Sequence, residues 1–137
     1  MKFILFCLVL VILSGCSDNA TVIYYDKKEK NPNCLHLVVF PPDPLISETL
    51  THLYHFEDEC PYELQVSKKG GIVCNSNQNA DKKALSTFPT GYIRIDLYKN
   101  HKAIYSYYKD LNDKISKDDI QSAFKRFQRD ILPKEQR

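Results

Sequence analysis

The stretch YIRIDLYKNHKAIYSYY, Tyr92 to Tyr108, decides the fold. Ile93, Ile95 and Leu97 alternate with Arg94, Asp96 and Tyr98, and a period of two marks a strand with one face buried and one facing solvent. Lys99-Asn100-His101-Lys102 then forms a turn into a second arm, Ala103 to Tyr108. Pairing across that turn sets Leu97 opposite Ile104, Arg94 opposite Tyr107 and Asp96 opposite Tyr105. On this register Arg94, Asp96, Tyr98, Tyr105 and Tyr107 form one cluster with the aromatic and arginine content of a protein-binding hot spot. The competing use of the same rings is structural, covering the second face of a sheet or packing under a loop.

Upstream of the hairpin, Thr21-Val22-Ile23-Tyr24-Tyr25 is β-branched and aromatic and reads as a first strand. A charged loop, Asp26 to Asn33, separates it from Cys34 to Phe40, an apolar run that suits a central buried strand. Pro41-Pro42-Asp43-Pro44 ends that run. Leu50, Leu53 and Tyr54 lie at helical spacing, so residues 47–54 read as a short helix with Ser47 as its cap. Tyr62–Val66 and Ile72–Cys74 read as a hairpin around Lys68-Lys69-Gly70-Gly71, followed by an exposed connection, Asn75 to Lys83. Near the C-terminus, Ser116 with Asp119 three residues on forms a capping pattern. Ile120, Ala123, Phe124, Phe127 and Ile131 then make one apolar stripe, which Pro133 ends. The expected class is α+β, a mainly antiparallel sheet packed by a C-terminal amphipathic helix.

The other end of the chain bears on location. Met1-Lys2 precedes 11 apolar residues, Phe3 to Leu13, then Ser14-Gly15-Cys16. A membrane span needs about 20 apolar residues, so this run is a secretory signal pattern. Leu13-Ser14-Gly15-Cys16 resembles the lipobox of bacterial lipoproteins. The resemblance implies cleavage before Cys16, a covalent diacylglycerol and acyl anchor on that cysteine, and attachment to a membrane without crossing it. In enterobacterial lipoproteins an Asp directly after the cysteine favours the inner membrane. Ser17 occupies that place here, which points to the outer membrane, facing the periplasm. The resulting organisation is a signal peptide over 1–15, a lipidated tether over 16–20, a single domain over 21–133 and a polar tail over 134–137.

Setting aside the first 15 residues leaves 122, enough for one core. The 19 basic and 17 acidic residues nearly balance, and no basic stripe stands out, so no nucleic-acid partner is expected. In an oxidising compartment Cys34, Cys60 and Cys74 are disulfide candidates. The 62–74 hairpin sets Cys74 opposite Gln65, too far along the strand for Cys60 to reach it, which makes Cys34 the partner of one of the other two.

Chemistry-bearing patterns are few. His52 and His55 are weak metal candidates, with Cys60 or a nearby carboxylate to complete a shell, but the spacing is common and the zincin pattern is absent. No nucleophile elbow, Ser-x-x-Lys motif or phosphate loop occurs. The expectation is therefore a non-enzymatic, cofactor-free, lipid-anchored envelope protein that binds another envelope protein as an assembly accessory. Two alternatives stay open: an immunity, exclusion or inhibitor lipoprotein that neutralises a toxin, phage factor or hydrolase, and a metal-binding lipoprotein.

Overall fold

The computed structural model describes residues 19–72 and 89–137. Its elements run β1 (Thr21–Tyr24), β2 (His36–Val39), α1 (Pro44–Leu53), β3 (Tyr62–Lys69), β4 (Gly91–Lys99), β5 (Lys102–Leu111) and α2 (Lys117–Ile131), then a 3-10 turn, Lys134–Gln136. The five strands form one sheet in the order β1-β5-β4-β3-β2. All neighbours are antiparallel except β2 and β3. Parallel neighbours need a crossover, and α1 lies within the one that links them. The class is α+β.

Asn100 and His101 both have positive φ, 48° and 66°, the backbone that a two-residue β4–β5 turn needs to match the twist of its strands. Gly91 opens β4 against the end of β3. A Cβ there would lie 2.5 Å from the Lys69 carbonyl oxygen, so only glycine lets the two backbones meet.

Three readings of the sequence are corrected here. The apolar run at Cys34–Phe40 supplies an edge strand, not a central one. Only His36–Val39 joins the ladder, while Cys34 and Leu35 are buried ahead of it and Phe40 is 76% exposed beyond it. The first helix begins earlier than residue 47. Its N-cap is Asp43, whose carboxylate accepts from the Ile46 amide at 3.2 Å, and Pro44 fills the first turn, where its missing N–H costs nothing. Burial alone would raise the Asp43 pKa, but the Lys68 ammonium at 2.9 Å and the Ile46 amide outweigh it and hold the carboxyl below its ordinary value. Finally, the partner of Tyr62–Lys69 is β4 and not Ile72–Cys74. Gln65 has Asp96 on one side and Val38 on the other, so both edges of β3 are paired there. Cys74 itself, Cys16 and the connection 75–83 lie outside the described residues.

One core contains Leu64, Val66, Ile93, Ile95 and Leu97 from the sheet, Ile46 and Leu50 from α1, and Ile120, Ala123, Phe124, Phe127 and Ile131 from α2. Ser116 caps α2 in a reciprocal box: its hydroxyl accepts from the Asp119 amide, and its own amide donates to the Asp119 carboxylate at 2.8 Å. Aromatic rings run through the core in contact with one another. Phe56 lies 5.1 Å from Tyr54 and 6.2 Å from Phe124, Phe124 lies 5.9 Å from Phe127, Phe127 5.7 Å from Tyr105, and Tyr105 5.4 Å from Tyr24. The residues read as a polar tail are pinned: Arg137 donates to the Leu132 and Arg129 carbonyls, and Gln136 meets the Tyr54 hydroxyl at 3.4 Å.

Cys34 and Cys60 form a disulfide with Cα atoms 6.0 Å apart. It closes a loop of 26 residues that contains β2 and α1. Constraining the unfolded chain over such a loop is worth about 3 kcal/mol. The double variant Cys34→Ser/Cys60→Ser should therefore lose about that much unfolding free energy in urea titrations relative to the oxidised protein.

Candidate functional site

Ile46 and Leu50 of α1 and the buried residues of α2 belong to one core with Leu64, Val66, Ile93, Ile95 and Leu97 of the sheet, while Gln65 and Arg94, which alternate with those strand residues, are exposed on the other face. What that face displays depends on a β-bulge. Lys99 pairs with Lys102 and Tyr98 with Ala103, but Leu97 then pairs with Tyr105, which leaves Ile104 as an extra residue on β5. From there on every pairing is displaced by one position from a regular two-residue hairpin. Arg94 faces Tyr108, and Asp96 faces Ser106.

Because side chains alternate, this slip moves the tyrosines of β5 to the other face. Tyr105 joins Leu97 and Tyr107 joins Ile95 on the core side, where they are 0% and 2% exposed. The five-residue cluster read from the sequence is thus divided. Arg94, Asp96 and Tyr98 stay together on the open face, whereas Tyr105 and Tyr107 do not belong to it. The Tyr105 hydroxyl donates to Asp130 at 2.9 Å, and the same carboxylate accepts from Arg126 Nε, also at 2.9 Å. Burial, reinforced by the Asp130 charge, raises the Tyr105 pKa far above that of an ordinary phenol.

On the open face Arg94 Nε lies 2.7 Å from Asp96 Oδ2. The Asp96 side chain is only 13% exposed and the Arg94 side chain 46%, so the pair is half withdrawn from water while its guanidinium remains accessible. The hydrogen bond and charge of Asp96 raise the Arg94 pKa, and partial burial followed by the Asp96 charge raises that of Tyr98. Tyr25 comes within electrostatic range of both Arg94 and Tyr98. Ser106, on the intervening strand β5, is 6% exposed. Tyr92 and Tyr108 stack with ring centres 5.3 Å apart, and the Tyr108 hydroxyl donates to Asp110 at 2.9 Å. Ile23 is 46% exposed and Tyr25 56%, and both leave apolar surface in water beside the ion pair.

Sequence reasoning missed Tyr25, Tyr92, Tyr108 and Ile23 as members of this face. Tyr92 was in principle readable, since it alternates in phase with Arg94. Tyr108 was hidden by the bulge, and Tyr25 by the unknown partner of β1, which is β5 with Ile23 opposite Ser106. The face is aromatic, with one arginine held in place by a carboxylate.

Elsewhere the candidates scatter. His52 sits in the last turn of α1 and His55 beyond its end, both exposed, while Cys60 is committed to the disulfide and offers no thiolate. Among the described residues no group of three or more His, Cys, Asp or Glu side chains is placed to hold a metal ion. A cleft of about 450 Å³ lies at the strand ends, lined by Leu45, Lys68, Gly70, Thr90 and Lys114 among others. None of the candidate binding, metal or disulfide residues read from the sequence lines it. Among the described residues no helix is long and apolar enough to cross a membrane. No family model, no curated protein and no solved structure matches this chain.

Removing the Tyr105 hydroxyl should cost about 1–2 kcal/mol, because Asp130 loses a buried donor. Its raised pKa adds a sign. The folded state holds the phenolic proton more tightly than the unfolded chain, so stability is complete below the ordinary tyrosine value of 10.0 and falls as pH rises beyond it. Urea midpoints measured from pH 8 to 11 should decline less steeply above pH 10 in Tyr105→Phe than in the wild type.

Proposed function

We propose that this protein is a lipid-anchored component of the bacterial cell envelope that works by binding another protein through the open face of its sheet. The observation that carries the reading is the Arg94–Asp96 pair, 2.7 Å apart, surrounded on that face by Tyr98, Tyr25 and the stacked Tyr92 and Tyr108. An arginine already paired to a carboxylate loses less side-chain freedom on docking, and tyrosines add rigid contact area at low entropic cost. In this reading the C-terminal helix is the layer that closes the other side of the sheet, and the open side is reserved for the partner. Cys16 bears the lipid, residues 1–15 are removed, and the domain faces the periplasm from the outer membrane. Its role is recognition and assembly rather than catalysis, with no metal or organic cofactor.

A photo-crosslinking residue in place of Tyr98 should yield a discrete adduct in cells, and the same residue in place of exposed Lys125 on α2 should not. Arg94→Ala should abolish that adduct while lowering the unfolding free energy by no more than about 1 kcal/mol, since the guanidinium is nearly half exposed although the Asp96 carboxylate it leaves is not. Equal adducts from both positions, or none from Tyr98, would remove the open face from consideration. A resident envelope component in the adduct identifies an assembly role, and a secreted toxin identifies an immunity role. Labelling with a palmitate analogue should mark the wild type and not Cys16→Ser, and an unlabelled wild type would end the lipoprotein reading.

A further inference from the structure

We infer that the protein seated on the open face is a second copy of this chain, related to the first by a two-fold axis that runs across the strands along the row of Ile95. This rests on the reading of that face as a protein-binding surface and names its occupant. The order of charges on the face carries it. Val22, Tyr107, Ile95, Val66 and Val39 form one row across all five strands, and their side chains turn to the core. The rows on either side of it show the open face. One holds Tyr108, Arg94 and Ser67, and the other Ser106, Asp96 and Gln65. Further out, Tyr92 and Lys69 lie beyond the first, and Tyr98 and Glu63 beyond the second. A half-turn about the Ile95 row exchanges these two sides. It lays Arg94 over Asp96 of the second copy and Lys69 over its Glu63, and each pairing occurs twice because the contact is isologous. It also sets the large Tyr108 over the small Ser106, and Tyr92 over Tyr98.

Other axes in the same plane do not pair the charges. A half-turn about β4 itself sets Arg94 on Arg94 of the second copy, and one midway between β4 and β5 sets it on Tyr108. The side chains suit the cross-strand axis. Arg94 meets its own Asp96 through Nε, is 46% exposed, and has five N–H donors, enough to bridge that carboxylate and the one laid over it. Lys69 is exposed and Glu63 half-buried, and neither is in an ion pair among the described residues. Asp110, the remaining carboxylate of the face, meets Ala103 and already accepts from the Tyr108 hydroxyl. Packed sheets lie about 10 Å apart with strands crossing at about 30°, which moves the rows one strand from the centre by about 2–3 Å, within the reach of Lys69 and Glu63. The face spans four strand spacings by six residues, roughly 19 by 20 Å, or about 800 Å² for the two copies together. An area at the low end for specific contacts gives a weak pair in free solution. It suffices where both copies share one surface, as two chains anchored at Cys16 do. The axis keeps the two β1 strands at one edge of the pair, so both tethers leave from the same side.

A photo-crosslinking residue would replace Tyr98 or Lys69 in the full-length chain in cells, with the adducts sized and mapped by mass spectrometry. The expected product has twice the mass of the chain, joined near Tyr92 for the Tyr98 probe and near Glu63 for the Lys69 probe. Within one chain Glu63 and Lys69 lie six residues apart on the same strand, about 20 Å, so they pair only between copies. Charge reversal uses that separation. Lys69→Glu alone, or Glu63→Lys alone, should cut the two-copy adduct from Tyr98 about tenfold, since both symmetric contacts change from attraction to repulsion. The double variant Glu63→Lys/Lys69→Glu should restore it. An adduct indifferent to the single reversals, or not restored in the double variant, overturns the pairing. A Tyr98 adduct with a different protein overturns the second copy and leaves the open face as a binding surface. No adduct from either position overturns both.

Discussion

A single extra residue in β5 governs how the surfaces of this molecule are allotted. With Ile104 bulged out of the ladder, Tyr105 and Tyr107 turn inward, and the sheet offers two large rings to the core that a regular hairpin would have offered to solvent. The rings that line the interior depend on that turn, because Tyr105 is the link between Phe127 on α2 and Tyr24 on β1. The open face depends on it equally: with Tyr105 and Tyr107 turned inward, the small Ser106 stands opposite Asp96, and Tyr108 stands opposite Arg94. A bulge of this kind amounts to a change of address for every residue beyond it.

Elements with a strong local signal were readable in advance. The alternation of Tyr92–Tyr98 and the Ser116 box with its apolar stripe each carry their own period and punctuation, and both elements form where the pattern places them. What was not readable depends on neighbours distant in sequence. Cys34–Phe40 has the composition of a central strand, yet its place at the sheet edge follows from the α1 crossover that returns the chain beside β3. Asp43 competes with Ser47 as a cap on equal chemical terms. Lys68, which holds the carboxylate from another strand, is a contact that no local pattern announces. Two of the five candidate-site residues were misplaced for the same reason: Arg94, Asp96 and Tyr98 lie on the arm before the turn, and Tyr105 and Tyr107 on the arm after the bulge.

The loop between β1 and β2 shows how charged sequence is given fixed position without a core of its own. Glu29 accepts from Lys99 at 2.9 Å and from the Tyr62 hydroxyl at 3.1 Å, and those two hydrogen bonds hold its carboxyl below the usual range. The Asn31 amide meets the last carbonyl of α2, from Ile131, at 3.0 Å. Two partners on strands and one on a helix end thus position a segment whose composition, DKKEKNPN, suggests only solvation.

The Cys34–Cys60 bond brackets β2 and α1, the two elements that leave the antiparallel ladder and come back to it. In a thiol-reducing compartment that excursion is tied down by its packing alone, with Leu35, Ile46 and Leu50 in the core and a four-residue strand at the sheet edge. The strands and helix from residue 91 onward close through contacts near in sequence, and the N-terminal flank is fastened once the chain meets an oxidant. Under the proposed envelope location, a chain awaiting export would lack this cross-link and gain it only where thiols are oxidised.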